Sequence, residues 1–459
     1  MSKSNPWIYI PTLYFAEGLP YTVVMMMSSV YFKDIGVDNQ AIGMMSALAF
    51  PWTFKFAWAP LIDIFGQKKQ WIVVAQVVLA VLFAAFGLTC LAPDPFTIAM
   101  FVLAALAIVS ATHDSSIDGY YLEVLDKSRQ ALFVGVRNTA FRLSMIFGTG
   151  AMVYFAGELS SKMSKAQAWC IAFEIIAGVM LAAFCLHTWI LPGKTAVKVE
   201  EDDSVAVPVA ASVVSAEQSS STQNNDAARS SAEGAAVDRN SSQDSGTRDY
   251  ITAIVSYFKQ PGIVAIVFYI LLFRLGEALA VKMITPFLQD AVDKGGMGLS
   301  LKEVGTIYGT VGVGFLLLGG IVGGYLVSKQ GLKRWFWPAT LIMNGTILFY
   351  FLLAFNRPSE IAWVYVVNSI EQFGYGFGMA AYTVFLLSTV DPKYKAGHYA
   401  IATALMAVGL NIPGMISGFL QTAVGYANFF LLAFCLTIPG IISIFFLPLW
   451  KKEETIATT

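Results

Sequence analysis

The sequence predicts an all-α polytopic membrane protein, with twelve transmembrane helices arranged as two six-helix bundles. Three observations carry that prediction. Of the 459 residues, 56% are hydrophobic and only 13% are charged, and mean hydropathy is +0.64; a soluble domain carries about 25% charged residues. Apolar runs close to the roughly 20 residues that cross a bilayer recur along the whole chain. The two halves also repeat each other's loops. GQKKQW (66–71) and GLKRW (331–335) each lead into a span, while DKSRQ (126–130) and DPKYK (391–395) each leave one. Trp71 and Trp335 are 264 residues apart, and Asp126 and Asp391 are 265 apart.

Hydropathy sets the spans at about 7–32, 40–63, 71–92, 96–125, 132–157 and 167–190, then 262–289, 301–327, 335–355, 361–390, 398–424 and 428–449. The first is long and has no small-residue cleavage site, so it is expected to stay as a helix. Short loops on the terminus side hold twelve Lys and Arg residues, including Lys68, Lys69, Arg129, Lys333 and Arg334, against six on the other side. The positive-inside rule then puts both termini in the cytoplasm. Residues 193–250 interrupt the pattern: 199–246 are rich in Ser, Ala and acids and hold no aromatic residue. Such a segment cannot bury enough apolar surface to offset its ordering entropy, so a disordered cytoplasmic linker is expected between bundles 1–192 and 251–459. Ile251, Ile254, Val255 and Phe258 follow helical spacing and suggest a short helix at the membrane surface. Gly319, Gly320, Gly323 and Gly324 suit close helix packing.

Several classes are excluded or disfavoured. A net charge of −1 gives no basic field for nucleic acid. Cys90, Cys170, Cys185 and Cys435 fall in apolar segments without metal or disulfide spacing and read as packing residues. No Walker A sequence exists, and no cofactor is expected. A parallel six-helix repeat without an ATP-driven engine is the arrangement of major facilitator transporters.

The charges inside the spans are the candidate site. Asp114 and Asp118 are one turn apart, about 40° around the axis, on a stripe Ser110–Asp114–Asp118–Tyr121. An aspartate at a membrane-helix centre costs roughly 2.5–3.5 kcal/mol, so two on one face imply water or a cation. Arg142 of span five is expected at the depth of Asp118, with Arg137 nearer the terminus-side mouth. Span seven contributes Arg274, Glu277 and Lys282. Span one places Glu17 beside Gly18 and Pro20, the pattern of a discontinuous helix. Lys55 and Glu371 complete the set. Asp63 and Glu123, with Arg137, read as gate or loop-brace residues, Glu174 as structural, and His187 and His398 as interfacial. Tyr14, Trp52, Tyr120 and Tyr375 could stack on sugar faces or simply pack. A rival class is an intramembrane acyltransferase using the H-x-x-x-x-D pair His113 and Asp118, though five residues place them about 140° apart on a continuous helix.

KFAWAPLID (55–63), SATHDSSIDGYYLEV (110–124), FRLSMIFG (141–148) and LFRLGEALAVKMITPFL (272–288) resemble the AmpG-type muropeptide permeases, in the peptide, acetyl-coenzyme A and drug transporter group of the major facilitator superfamily. The likeness runs through both halves. It implies proton-coupled import of anhydro-muropeptides across a bacterial inner membrane. The membrane lipid, protons and an anionic solute would be the partners, and the protein would be a monomer. It also implies proton coupling at Asp114, Asp118 and Glu277. Arg142, Arg274, Lys55, Glu17, Lys282, Glu371 and Tyr121 would meet substrate, another anionic solute such as a peptide, amino sugar or coenzyme A ester being the alternative cargo. Under that reading Asp114 and Asp118 hold a proton as a pair, and Arg142 neutralises one of them until a substrate carboxylate competes. His113 departs from the polar amide common at its position in the family.

Overall fold

The computed structural model describes residues 5–192, 254–391 and 395–448, so the expected linker at 193–250 lies outside the described residues. Every regular element among them is helical. A bilayer core offers no water to backbone N–H and C=O groups, and a helix satisfies them within itself.

The spans begin at loops whose polar residues cap the next helix. Asp94 accepts from the Thr97 N–H at the start of Pro95–Val124. Asp126 accepts from Arg129 N–H before Lys127–Met145. Ser164 and Gln167 form a reciprocal capping box before Lys165–Ile190, as Ser300 and Glu303 do before Leu301–Val304. Each cap satisfies an N–H that the first helical turn leaves orphaned.

Span one covers 6–34. It does not break at Glu17–Gly18–Pro20 as expected: Pro6–Thr22 is one α-helix, followed by a π-turn at Val23–Met27. Gly18 serves close packing, because a Cβ there would lie 2.2 Å from Ser144 Oγ of span five. Span two covers 39–64 in short pieces, with 3-10 turns at Met45–Ala49 and Lys55–Ala57. Lys68–Thr89, Pro95–Val124, 127–160 and Lys165–Ile190 complete the first half. The second half holds Ile263–Gln289, Leu301–Gln330, Leu332–Asn356 and Ala362–Ser388. Spans eleven and twelve share the run Lys395–Cys435, kinked at Gly425, whose φ of 75° suits glycine. Residues 254–258 are helical as expected. Their inward residue is Tyr257, fully buried, while Val255 and Phe258 face outward.

Large apolar side chains such as Phe101, Val81 and Trp189 point out of the bundle, the surface a lipid chain would cover. Inside it, small residues bring helices together. A Cβ on Gly319 of span eight would lie 2.0 Å from the Phe373 carbonyl of span ten, and one on Gly323 2.7 Å from that of Phe377, as the glycine spacing suggested.

The two halves meet at the end of the bundle away from the N-terminus. Span two lies against span eleven there, where a Cβ on Gly418 would collide with the Asn39 carbonyl. Span five lies against span eight, with Gly309 on Thr149 and Gly305 on Tyr154. A polar latch crosses the same end. Lys33 pairs with Asp290 at 2.7 Å, and Asn39 Nδ2 donates to Gln421 Oε1 at 2.6 Å and to the Tyr426 hydroxyl at 2.8 Å. Lys302 pairs with Glu158 beside it. Among the described residues, no terminus-side segment of one half packs closely on the other. The described residues are therefore closed on each other at the far face and share no close packing between the halves at the terminus face.

Candidate functional site

Where the halves part, they enclose a cleft of about 1130 Å³, part of it open to solvent. Its first-half wall carries Tyr21, Ser29 and Arg142, and its second-half wall carries Arg274, Glu277, Lys282, Gln372, Tyr375 and Asn411, with Met25, Met26 and Met145 as apolar lining. Span seven is interrupted at Arg274, where ψ is 0° and the helices Ile263–Phe273 and Leu275–Gln289 meet. That break presents Arg274 and Glu277 together. Arg274 Nε donates to Glu277 Oε2 at 2.9 Å and Nη2 to Oε1 at 3.2 Å, a two-point fork. Arg274 Nη2 also donates to the Tyr375 hydroxyl at 2.8 Å. Two turns further along, Lys282 Nζ donates to Ser29 Oγ at 3.2 Å, across the halves. Arg142 Nη1 lies 3.2 Å from Met145 Sδ. The lining thus carries three cations against one carboxylate. Glu371 is buried just behind it and accepts from Gln372 Nε2 at 2.8 Å.

A second charged cluster lies within the first half, toward the terminus face. Lys55, on the 3-10 turn of span two, forms an ion pair with Asp114. Glu17 of span one is buried on the same side of its helix as Tyr14, one turn further along. Asp118 accepts from the Tyr14 hydroxyl at 3.1 Å and faces Arg137 Nη2 at 3.5 Å. The Arg137 guanidinium also lies over the Tyr14 ring, 4.6 Å from its centroid, and 5.3 Å from that of Tyr121.

The expectation for span five is corrected here. Arg137, assigned to a gate, is the arginine that stands against Asp118, while Arg142 lines the cleft about 7.5 Å further along the helix. Counting along the span put Arg142 at the depth of Asp118, whereas the structure puts Arg137 there, packed against Tyr14 and Tyr121. Tyr121 is expected on the polar stripe with Asp114 and Asp118, meeting substrate. Its ring instead packs edge-on against Tyr14, and its hydroxyl donates to the Gln130 carbonyl. Glu123 faces Lys68 at 3.8 Å. The Asp63 side chain lies outside the described residues.

Sequence reasoning missed a buried polar chain beside the cluster. His113 Nε2 lies 3.1 Å from Gln76 Nε2, Gln76 bonds His187 Nδ1, and His187 Nε2 lies 3.0 Å from Thr12 Oγ1. His187 and His398 are both fully buried rather than interfacial. Each sits near a span end, but polar side chains from neighbouring helices reach it, Ser256 and Gln260 in the case of His398. A glutamine inside an apolar span was the available signal for the first chain. His113 and Asp118 serve different partners, so the acyltransferase geometry is not formed. Of the four aromatics, Tyr375 lines the cleft. Tyr14 is held by Asp118, Trp52 packs on Tyr21, and the Tyr120 hydroxyl donates to the Pro192 carbonyl.

Two helical halves closed at one end around a polar cleft define a multi-pass membrane carrier. The chain belongs to the Major Facilitator Superfamily, whose family pattern it matches over residues 12–409. It is 24% identical over 437 residues to the anhydromuropeptide permease of Escherichia coli, covering 93% of this chain and 77% of that one. It is 22% identical to the AmpG 1 transporter candidate of Rickettsia prowazekii, covering 95% of this chain and 97% of the relative. The Rickettsia relative bears the AmpG name of the family that the motifs resemble. Among solved structures, a D-xylose-proton symporter superposes with a TM-score of 0.64 at 12% identity, covering 96% of both chains.

Proposed function

We propose that this carrier imports anhydro-muropeptides, the sugar-peptide fragments of cell-wall turnover, across a bacterial inner membrane together with protons. The observation that carries the reading is the charge of the cleft: Arg142, Arg274 and Lys282 face it against Glu277 alone. A low-dielectric cavity with a surplus of fixed cations favours an anionic solute, and the carboxylates of a muropeptide peptide stem supply that charge. Near-full-length similarity to an anhydromuropeptide permease supports the choice among anionic solutes. With the termini in the cytoplasm by the positive-inside rule, the closed far face is periplasmic and the cleft opens inward.

In this reading Arg274 exchanges its bond to Glu277 for a substrate carboxylate, and Lys282 with Ser29 holds a second acceptor deeper in the cleft. Tyr375, already against Arg274, offers a ring to the sugar or the stem. Inward movement of one proton supplies about 2.3 kcal/mol per 100 mV, enough for roughly fiftyfold accumulation. Uptake of labelled N-acetylglucosaminyl-anhydro-muropeptide by cells lacking their own permease tests the reading. Uptake that a protonophore abolishes is expected. No uptake by well-expressed protein would remove the substrate and leave other anionic solutes, such as amino sugars, peptides or coenzyme A esters, to be tried.

A further inference from the structure

We propose that Glu17 and Asp114 together form the proton-binding site of this carrier, sharing one proton between their carboxyl groups with Lys55 as the adjacent counter-charge. The assignment rests on the proton-coupled reading and deepens it by moving the site from the two aspartates of span four to a pair that bridges spans one and four.

Glu17 is buried, 4% exposed, and lies one turn beyond Tyr14 on span one, while Asp114 lies one turn before Asp118 on the antiparallel span four, so the Tyr14–Asp118 contact sets the two carboxyl groups side by side. Two ionised carboxylates have only acceptors to offer each other, so a hydrogen bond between them requires a proton on one. The second Glu17 oxygen, Oε2, is buried without a hydrogen-bond partner. A bare carboxylate oxygen in that position is expensive, whereas a neutral acid tolerates it far better. The balance of charge agrees. The charged groups of the cluster beside Glu17 are Asp114 with its partner Lys55 and Asp118 with its partner Arg137, with Tyr14 and Tyr121 packed on that guanidinium. Three carboxyl groups stand against two cations, and one proton makes the cluster neutral.

Asp118 instead meets fixed donors, the Tyr14 hydroxyl at 3.1 Å and the Arg137 guanidinium at 3.5 Å. Lys55 is the counter-charge in contact with the pair. It rides on a 3-10 turn between Pro51 and Pro60, where span two is in short pieces. Withdrawal of Lys55 from Asp114 strengthens the hold of the pair on its proton, and its return favours release.

Two measurements on purified full-length protein in lipid test this. Infrared spectra should contain the carbonyl stretch of a protonated carboxylic acid that is lost in Glu17→Gln and in Asp114→Asn but retained in Asp118→Asn. In proteoliposomes, Glu17→Gln should lose accumulation of anhydro-muropeptide driven by a proton gradient by more than tenfold, while substrate-for-substrate counterflow stays within about twofold. Persistence of the band in a folded Glu17→Gln protein, or its loss only in Asp118→Asn, would overturn the assignment. Wild-type protein that exchanges substrate yet ignores the gradient would instead overturn the coupled reading, while the infrared band still locates the proton. The spectra need no substrate, so the two failures are separable.

Discussion

Arg137 and Asp118 show what a single side chain contributes here. Both are buried, so deleting the arginine strands a carboxylate, a change that costs on the order of 3 kcal/mol in buried pairs. Arg137→Leu should lower the unfolding temperature of the detergent-purified protein, and adding Asp118→Asn should recover part of the loss. Equal unfolding temperatures for wild type and Arg137→Leu would deny the pair a structural role. Lys282 is different, because it faces the cleft and its partner Ser29 is neutral. Lys282→Met should leave folding intact and raise KM for an anionic substrate about tenfold or more, the scale of one charge-assisted hydrogen bond at roughly 1.5–3 kcal/mol. A substrate with its carboxylates amidated should show no such difference, and a loss shared by both substrates would point to cavity shape instead.

At the scale of the helix, the glycines of span eight set the spacing to span ten. Gly319→Leu would drive a side chain into the Phe373 carbonyl, whereas Gly314 in the same helix has open space around its Cβ position. Size-exclusion chromatography should show Gly319→Leu aggregated or poorly expressed, and Gly314→Ala behaving as wild type. Helices of this kind were legible in the sequence because bilayer thickness fixes their length and loop residues fix their starts: Asp94, Asp126 and Ser164 each cap where the hydropathy begins to rise. Interruptions were less legible. Glycine and proline at Gly18 and Pro20 suggested a break in span one, yet Gly18 packs on Ser144 and the helix continues into a π-turn. Span seven breaks instead at Arg274, which has no helix breaker before it. Depth along a span follows from counting residues, so Asp114, Asp118, Lys55, Arg274 and Glu277 were found as candidates. That count is good only to about a turn, so Arg137 and Arg142 exchanged places, and rotation about the helix axis does not follow from it at all, so the chain His113–Gln76–His187–Thr12 went unseen.

Across the whole molecule, the far-face latch and the central cleft belong to one cycle. Lys33, Asn39, Asp290, Gln421 and Tyr426 hold the halves together only while that face is shut. Asp290→Asn removes the charge from the Lys33 pair and should shift the population toward the alternative opening. A cysteine placed on the far-face side of the cleft would then label faster from outside than in the unmodified latch. Unchanged labelling would mean that the glycine-mediated contacts of spans two with eleven and five with eight carry the closure alone.

The central claim is that one cleft moves an anionic muropeptide together with a proton. It is tested most directly by purified protein in proteoliposomes loaded with a pH-sensitive dye, to which anhydro-muropeptide is added from outside with no imposed gradient. The account predicts that the lumen acidifies as labelled substrate enters, and that both signals vanish together in Arg274→Ala, where the cleft has lost the guanidinium that meets the substrate. Substrate entry with no change in lumenal pH would contradict it.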